Sequence, residues 1–194
     1  MKNIKFALLM NIFCYFNASL GLDKEVIKQT IANMVQVDQN LRSKLNFSNL
    51  NESMLVEMRK LDLLHTESLK NILRQFFWVT ISEFGAQTDH GAWLLVQHAD
   101  HDLEFQKDIL LRLEQLYKKQ ETDAKNFAYL YDRIAMAENR PQRYGTQGLI
   151  KDGKWVLCET EDLAQLDERR LSVGLSSYKD YKDQITAIYT LSVE

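Results

Sequence analysis

The sequence contains few residues that interrupt helices, with only seven glycines and one proline in 194 residues. Collagen-like chains, glycine- and proline-rich disordered chains and all-β folds with many turns need more of them, so these classes are excluded. Cysteine is also scarce, with two residues, Cys14 and Cys158. Hydrophobic residues make up 45% of the chain and charged residues 26%, a composition that favours a folded domain over disorder.

Positive charge is not in excess either, because the formal net charge is −3. Proteins that bind DNA or RNA need clustered lysine and arginine to displace counterions, so nucleic acid is not expected as a partner. The chain also lacks a P-loop, a strand-linked GxGxxG, a CxxC, an HExxH and a nucleophile elbow. The sequence therefore predicts none of the sites that these motifs mark.

Residues 1–21 have the pattern of a secretory signal peptide. Lys2 and Lys5 precede an apolar run at residues 6–16, and small residues follow up to Gly21. A membrane span needs ~20 apolar residues, and this run is much shorter, so cleavage is expected rather than a stable membrane anchor. We expect a mature domain over residues 22–194, in the periplasm or secreted, with Cys158 as its one cysteine and no internal disulfide.

Hydrophobic periodicity in the rest of the chain predicts helices. Two alternatives concern helix boundaries. In one, a helix breaks between Asp62 and His65, and in the other, a helix ends and a new one is capped near Asp100 or Asp102. The pair Asp152–Gly153 stands between two apolar segments and is typical of a β-hairpin turn. The expected fold is a mainly α, single-domain helical bundle with one small β-hairpin near residues 148–158. Its helices are expected over residues 23–45, about 55–74, about 88–109, 124–138, 161–173 and 177–191.

Ionisable residues at apolar positions of the helical stripes are the most informative polar feature, since burying a charge is costly unless it is paired or bound. These residues are Asp38, Asp62, His65, His98, Asp102 and Asp132. A structural network is one explanation, because Asp38 and Arg42 form an i,i+4 pair and polar residues can set the register of a bundle. The other explanation is that the helices converge on a polar pocket.

A metal-dependent hydrolase is the sharpest alternative function. Imidazole and carboxylate groups suit zinc, manganese and iron, and the order His65, His101–Asp102, Asp132 resembles the H…HD…D order of helical HD-type metal phosphohydrolases. The candidate metal ligands are His98, His101 and Asp102, and the candidate catalytic residues are His98, Asp102 and Asp132. This alternative requires a divalent metal as its cofactor. The sequence predicts no cofactor for the other hypotheses.

The segment PQRYGTQG, at residues 141–148, contains the only proline and supplies several polar side chains. Gly145 and Gly148 allow tight backbone turns there. Arg143 and backbone N–H groups are suited to hold a phosphate or a carboxylate. A polar turn that packs Tyr144 is the structural alternative.

Three ordered motifs, QHAD-x-D from Gln97, AYLxDR from Ala128 and QxYGTQ from Gln142, resemble the signature of a bacterial family of unknown function. DQNLR at 38–42 and RRLSVGLSSYKDY from Arg169 resemble further elements of it, whereas FFWVT departs from the family's GWPT. The resemblance covers residues 35–181 and implies no activity. It groups the polar residues at which we expect a small polar or anionic ligand: Asp38, Arg42, Gln97, His98, Asp132, Arg133, Gln142, Tyr144 and Gln147. A protein-interaction module is the third hypothesis, and it requires an exposed apolar patch.

Overall fold

Several helices begin where the sequence supplies a capping side chain. In the computed structural model, Asp23 accepts a hydrogen bond from the backbone N–H of Glu25, and Asp123 accepts one from Lys125. Such caps satisfy N–H groups that have no partner within the helix. The structure describes residues 23–44, 52–151 and 154–191. The expected signal peptide and the turn at residues 152–153 lie outside these ranges.

Eight α-helices, one 3₁₀ helix and two strands occur in the described ranges. In chain order they are α1 (Lys24–Arg42), α2 (Glu52–Leu73), α3 (Ile81–Phe84), α4 (Ala86–Gln97), α5 (Leu103–Tyr117), α6 (Ala124–Ala137), β1 (Gly148–Lys151), β2 (Lys154–Leu157), the 3₁₀ helix Leu163–Gln165, α7 (Leu166–Ser172) and α8 (Tyr178–Leu191). The expected fold class, a mainly helical single domain with one small hairpin, is confirmed.

The structure decides three helix boundaries that the sequence left open or misplaced. The helix expected over residues 88–109 is two helices, which confirms the alternative of a new cap near Asp102, because α4 ends at Gln97 and the side chain of Asp102 caps the start of α5. His98 therefore does not share a continuous helical face with Phe105. No break separates Asp62 from His65, since α2 is continuous. The helix expected from residue 161 begins later, as a 3₁₀ turn capped by Asp162.

Helix α4 lies at the centre of the packing. It contacts α1, α2, α3, α5 and α6, while α5 and α6 pack against each other. Burying each large apolar side chain contributes about 1.5–3 kcal/mol. The most deeply buried ones include Ile31, Leu69, Val96, Ile109, Leu130 and Ile134. Because α1, α2 and α4 touch one another, polar residues near their ends are brought together.

None of the helices in the described ranges combines the length and apolar character that a membrane crossing requires.

The hairpin is antiparallel, with Gly148 opposite Leu157 and Ile150 opposite Trp155. A Cβ atom at Gly148 would lie 2.1 Å from Cε2 of Trp155. The Trp155 ring packs edge-on against Tyr181 of α8, with ring centroids 5.9 Å apart. Gly148 thus provides space for the indole that joins the hairpin to α8, rather than the tight turn expected from the sequence.

We predict that Gly148→Ala lowers the unfolding free energy by about 1–3 kcal/mol, because the new methyl group displaces the indole from Tyr181. Urea unfolding measures the loss. In a Trp155→Leu background the same substitution should cost less than about 0.5 kcal/mol. An equal cost in both backgrounds would show that the indole is not the cause.

Candidate functional site

Three helices bring four polar side chains together, and we name this group the Asp38 cluster. It consists of Asp38 and Arg42 from α1, Asp62 from α2 and His98 at the end of α4. Asp38 continues the buried stripe of α1 that includes Met34. Helical periodicity therefore places this carboxylate against the core, and the neighbouring helices must supply its partners.

The Asp38 carboxylate has a hydrogen-bond partner on each oxygen. Its Oδ1 accepts from Nε of Arg42 at 2.9 Å and lies 3.0 Å from Nδ1 of His98. Its Oδ2 accepts from the side-chain amide of Gln39 at 2.8 Å. Burial alone would raise the pKa of Asp38, but the hydrogen bond and charge of His98, together with Arg42, outweigh it and lower the pKa to about 2. Asp38 is therefore ionised at neutral pH.

The partners of Asp38 reach solvent although Asp38 does not. The exposed fractions of the side chains are 1% for Asp38, 15% for Asp62, 17% for His98 and 22% for Arg42. Arg42 also donates from Nη2 to Oδ1 of Asp62, so its guanidinium bridges both carboxylates. Burial raises the pKa of Asp62, against the opposing charge of Arg42. The cluster combines a buried carboxylate with three side chains that solvent can reach.

His65 lies next to this cluster, on α2 and three residues after Asp62. The residue is 8% exposed, and within the part of the chain that the structure describes its Nδ1 atom has no hydrogen-bond partner. Burial lowers the pKa of His65, and the nearby charges that act on it are those of Asp38, Arg42 and His98. The imidazole is therefore neutral at pH 7, and one of its nitrogens is buried with no partner from the described residues.

Asp132 is also buried, but its partners come from one loop. Its two oxygens accept from the backbone N–H groups of Arg143 at 2.7 Å, Tyr144 at 3.0 Å and Thr146 at 2.9 Å. The Thr146 hydroxyl donates a further bond at 2.9 Å. Burial raises the pKa of Asp132, while these donors oppose the shift. All of these hydrogen bonds are donated to Asp132, so the loop binds the carboxylate form. Gly145 adopts the left-handed conformation that this turn requires.

The rest of this loop is held by its own polar groups. The Gln142 amide donates to the carbonyl oxygens of Gln147 and Cys158, and its oxygen accepts from the backbone N–H of Gln147. Arg170 is fully buried behind the loop and donates to the carbonyl oxygen of Tyr144 at 2.7 Å. These contacts make the loop a folded unit, as in the structural alternative derived from the sequence.

Two further residues of the expected ligand site hold helices together. Arg133 binds both oxygens of Asp100, at 2.7 and 2.8 Å, and so ties α6 to the segment after α4. The Gln97 side chain is buried, and the amide orientation that satisfies its neighbours lets its oxygen accept from the backbone N–H of Leu130 at 3.1 Å and from Trp93 Nε1 at 3.2 Å. The structure does not place either residue in the Asp38 cluster.

The residues of the hydrolase alternative lie in separate environments. His101 is exposed. Asp102 caps α5 and pairs with Lys70, and Asp132 is enclosed by its loop. Within the described ranges, the group of three metal-ligating side chains whose ligand atoms lie within 4.8 Å of one another is Asp38, Asp62 and His98. Of the candidate metal ligands from the sequence, this group contains His98 alone.

Sequence reasoning missed the buried Asp89. Its carboxylate accepts from Trp78 Nε1 at 2.6 Å and from the amide of Asn126 at 3.0 Å, and burial raises its pKa. Asp89 lies in the first turn of α4, where the helix dipole favours a negative charge. Its position shortly after a glycine and an aromatic segment was the feature of the sequence that could have identified it as a buried carboxylate.

Comparison with protein-family models matches residues 25–194 to a family described as "Family of unknown function (DUF6624)". The chain belongs to this family. The resemblance that the sequence motifs suggested is thereby confirmed at the level of a family of unknown function. Comparisons with curated proteins and with solved structures find no match. For this DUF6624 domain, the functional argument therefore depends on the geometry of its side chains.

We predict that Asp132→Asn lowers the unfolding free energy of the DUF6624 domain by about 3 kcal/mol, because an amide NH₂ would face donors and the charge-assisted bonds would be lost. The matched control is Asp108→Asn, which removes an exposed pair with Arg112. It should cost less than about 0.5 kcal/mol. Urea unfolding measures both variants, and equal losses would contradict a special role for Asp132.

A second prediction concerns alkaline pH. Burial raises the pKa of Tyr144 to about 12, whereas a tyrosine in an unfolded chain titrates near about 10. Between these values the unfolded state loses the phenol proton first, so stability falls as pH rises. Tyr144→Phe should remove about 2 kcal/mol of the loss between about pH 10 and 12. Denaturant unfolding across this range measures it, and identical slopes for both proteins would contradict the prediction.

Proposed function

We propose that this domain binds a small polar ligand at the Asp38 cluster and works outside the cytoplasm. The observation that carries the proposal is the contrast between Asp38 and Asp132. The partners of Asp132 are mainly backbone groups of one loop, which cannot leave without unfolding it. The partners of Asp38 are side chains, and Arg42 and His98 reach solvent. Such side chains can exchange their bonds for bonds to a ligand.

The charges in the cluster favour a neutral or cationic ligand over an anionic one. Arg42 lies between two carboxylates, and Arg133 is paired with Asp100. Both guanidinium groups therefore already have carboxylate partners. An anion at the cluster would approach two carboxylates and would have to displace them from Arg42, which costs free energy.

An exported location is supported by the signal-peptide pattern of residues 1–21, which precede the family match at residue 25.

The two alternative functions have less support from the geometry. The hydrolase would require Asp102 and Asp132 to leave the partners that they have. The interaction module requires an exposed apolar patch. The described ranges expose several large apolar side chains, including Leu149, Ile150 and Val156 of the hairpin and Leu63 and Leu64 of α2. Exposed apolar residues are common on monomeric proteins and identify no partner by themselves, whereas the Asp38 cluster supplies specific polar groups, so we favour ligand binding.

The proposal predicts a ligand-dependent rise in Tm. The protein is screened in EDTA against neutral sugars and polyols, amino acids, polyamines and sugar phosphates. A ligand present at about 100 times its Kd stabilises the folded state by about 2.7 kcal/mol. We expect at least one compound to raise the Tm of the wild type and of His101→Gln but not that of His98→Gln. His101 is the matched control, since it is an exposed histidine three residues away.

Two outcomes would overturn the proposal. In the first, no compound shifts the Tm of the wild type. In the second, the shift survives in His98→Gln, which would place the ligand elsewhere.

A further inference from the structure

The ligand atoms of the Asp38 cluster have a spacing close to that of a metal site. One atom each from Asp38, Asp62 and His98 lie within 4.8 Å of one another. Ligands bound tetrahedrally at the usual metal–oxygen and metal–nitrogen distances are roughly 3.3 Å apart. Small side-chain movements would close this difference, because Asp62 and His98 are partly exposed.

A cationic group already occupies the space between the two carboxylates. The Arg42 guanidinium donates from Nε to Asp38 and from Nη2 to Asp62. The position is therefore electrostatically suited to a positive ion. Arg42 lies in the last turn of α1 and its side chain is 22% exposed, so its long side chain can move into solvent and leave this position to another cation.

His65 provides an independent observation that points to a ligand. It lies one helical turn after Asp62 on α2, is more than nine-tenths buried and is within range of the charges of Asp38, Arg42 and His98. Its Nδ1 has no hydrogen-bond partner among the described residues. A buried polar atom without a partner costs free energy, and a ligand at the cluster would supply one. Since His65 is not among the three residues of the 4.8 Å group, its expected partner is a water bound to the ion.

We propose that the Asp38 cluster binds a divalent transition metal of the Zn²⁺ or Mn²⁺ class, with Asp38, Asp62 and His98 as ligands. Two carboxylates with one imidazole suit these ions better than Ca²⁺, which prefers oxygen ligands only, or Cu⁺, which prefers sulfur. Three protein ligands leave a coordination position open to water or to an organic molecule. The inference rests on the proposed use of the Asp38 cluster as a binding site, because it names the ligand class.

The first test titrates metal-free protein with MnCl₂ or ZnCl₂ in a calorimeter. We expect one equivalent to bind, and we expect Asp62→Asn and His98→Gln each to weaken binding by at least about tenfold, as a lost ligand does. His101→Gln should leave binding unchanged. Circular dichroism and apo Tm values confirm that each variant is folded. Binding that persists in both ligand variants, or no binding to the wild type at millimolar metal, would overturn the inference.

The second test uses Arg42→Met, which keeps the apolar part of the side chain and removes the competing cation. The variant should bind the metal about threefold more tightly or better, and the added metal should raise its Tm more than that of the wild type. A purely structural Arg42 would give the opposite result, because its loss would disorder the cluster. Unchanged or weaker metal binding in Arg42→Met would overturn the inference.

The two proposals fail in different ways. An organic compound that binds in EDTA to a protein that binds no metal would overturn the metal site and leave the proposed function intact. Metal binding that depends on Asp62 and His98, together with no organic ligand in EDTA, would support the metal site and overturn the proposed binding of a metal-free polar ligand.

Discussion

The burial of carboxylates in a helical core is the constraint on which much of this structure depends. Within the described ranges, Asp38, Asp89 and Asp132 are each almost or fully inaccessible to solvent. A buried charge is tolerated only when donors surround it. Each aspartate therefore requires a particular arrangement of the elements around it: helix ends at Asp38, an indole and an amide at Asp89, and a folded loop at Asp132.

The same requirement has different consequences at Asp38 and Asp132. At Asp132 the donors are mostly backbone N–H groups that cannot be exchanged, so the carboxylate shapes the loop at residues 141–148. Arg170 completes this unit from behind through backbone carbonyls. At Asp38 the donors are side chains at the ends of α1 and α4, and they extend to solvent. An ion or a polar molecule can replace such donors, and for this reason the Asp38 cluster is the better candidate for function.

The candidate site was partly predictable from the sequence. Helical spacing showed that Asp38, Asp62, His65 and His98 are ionisable residues at apolar positions. It therefore predicted that charged and imidazole side chains from several helices would be buried. Spacing did not separate these residues from Asp132, whose side chain occupies a similar position in its own helix. The difference between an exchangeable site and a structural one lies in the partners, which come from elements distant in sequence.

The sequence by itself determined the helical class, the hairpin and the inward face of α1, because each depends on the spacing of residues within one element. Only the tertiary structure decided that α4 ends before His98, that Arg42 bridges Asp38 and Asp62, and that the loop folds around Asp132. These features depend on distances between elements far apart in the chain. Such distances follow from how the helices pack, which local periodicity does not specify.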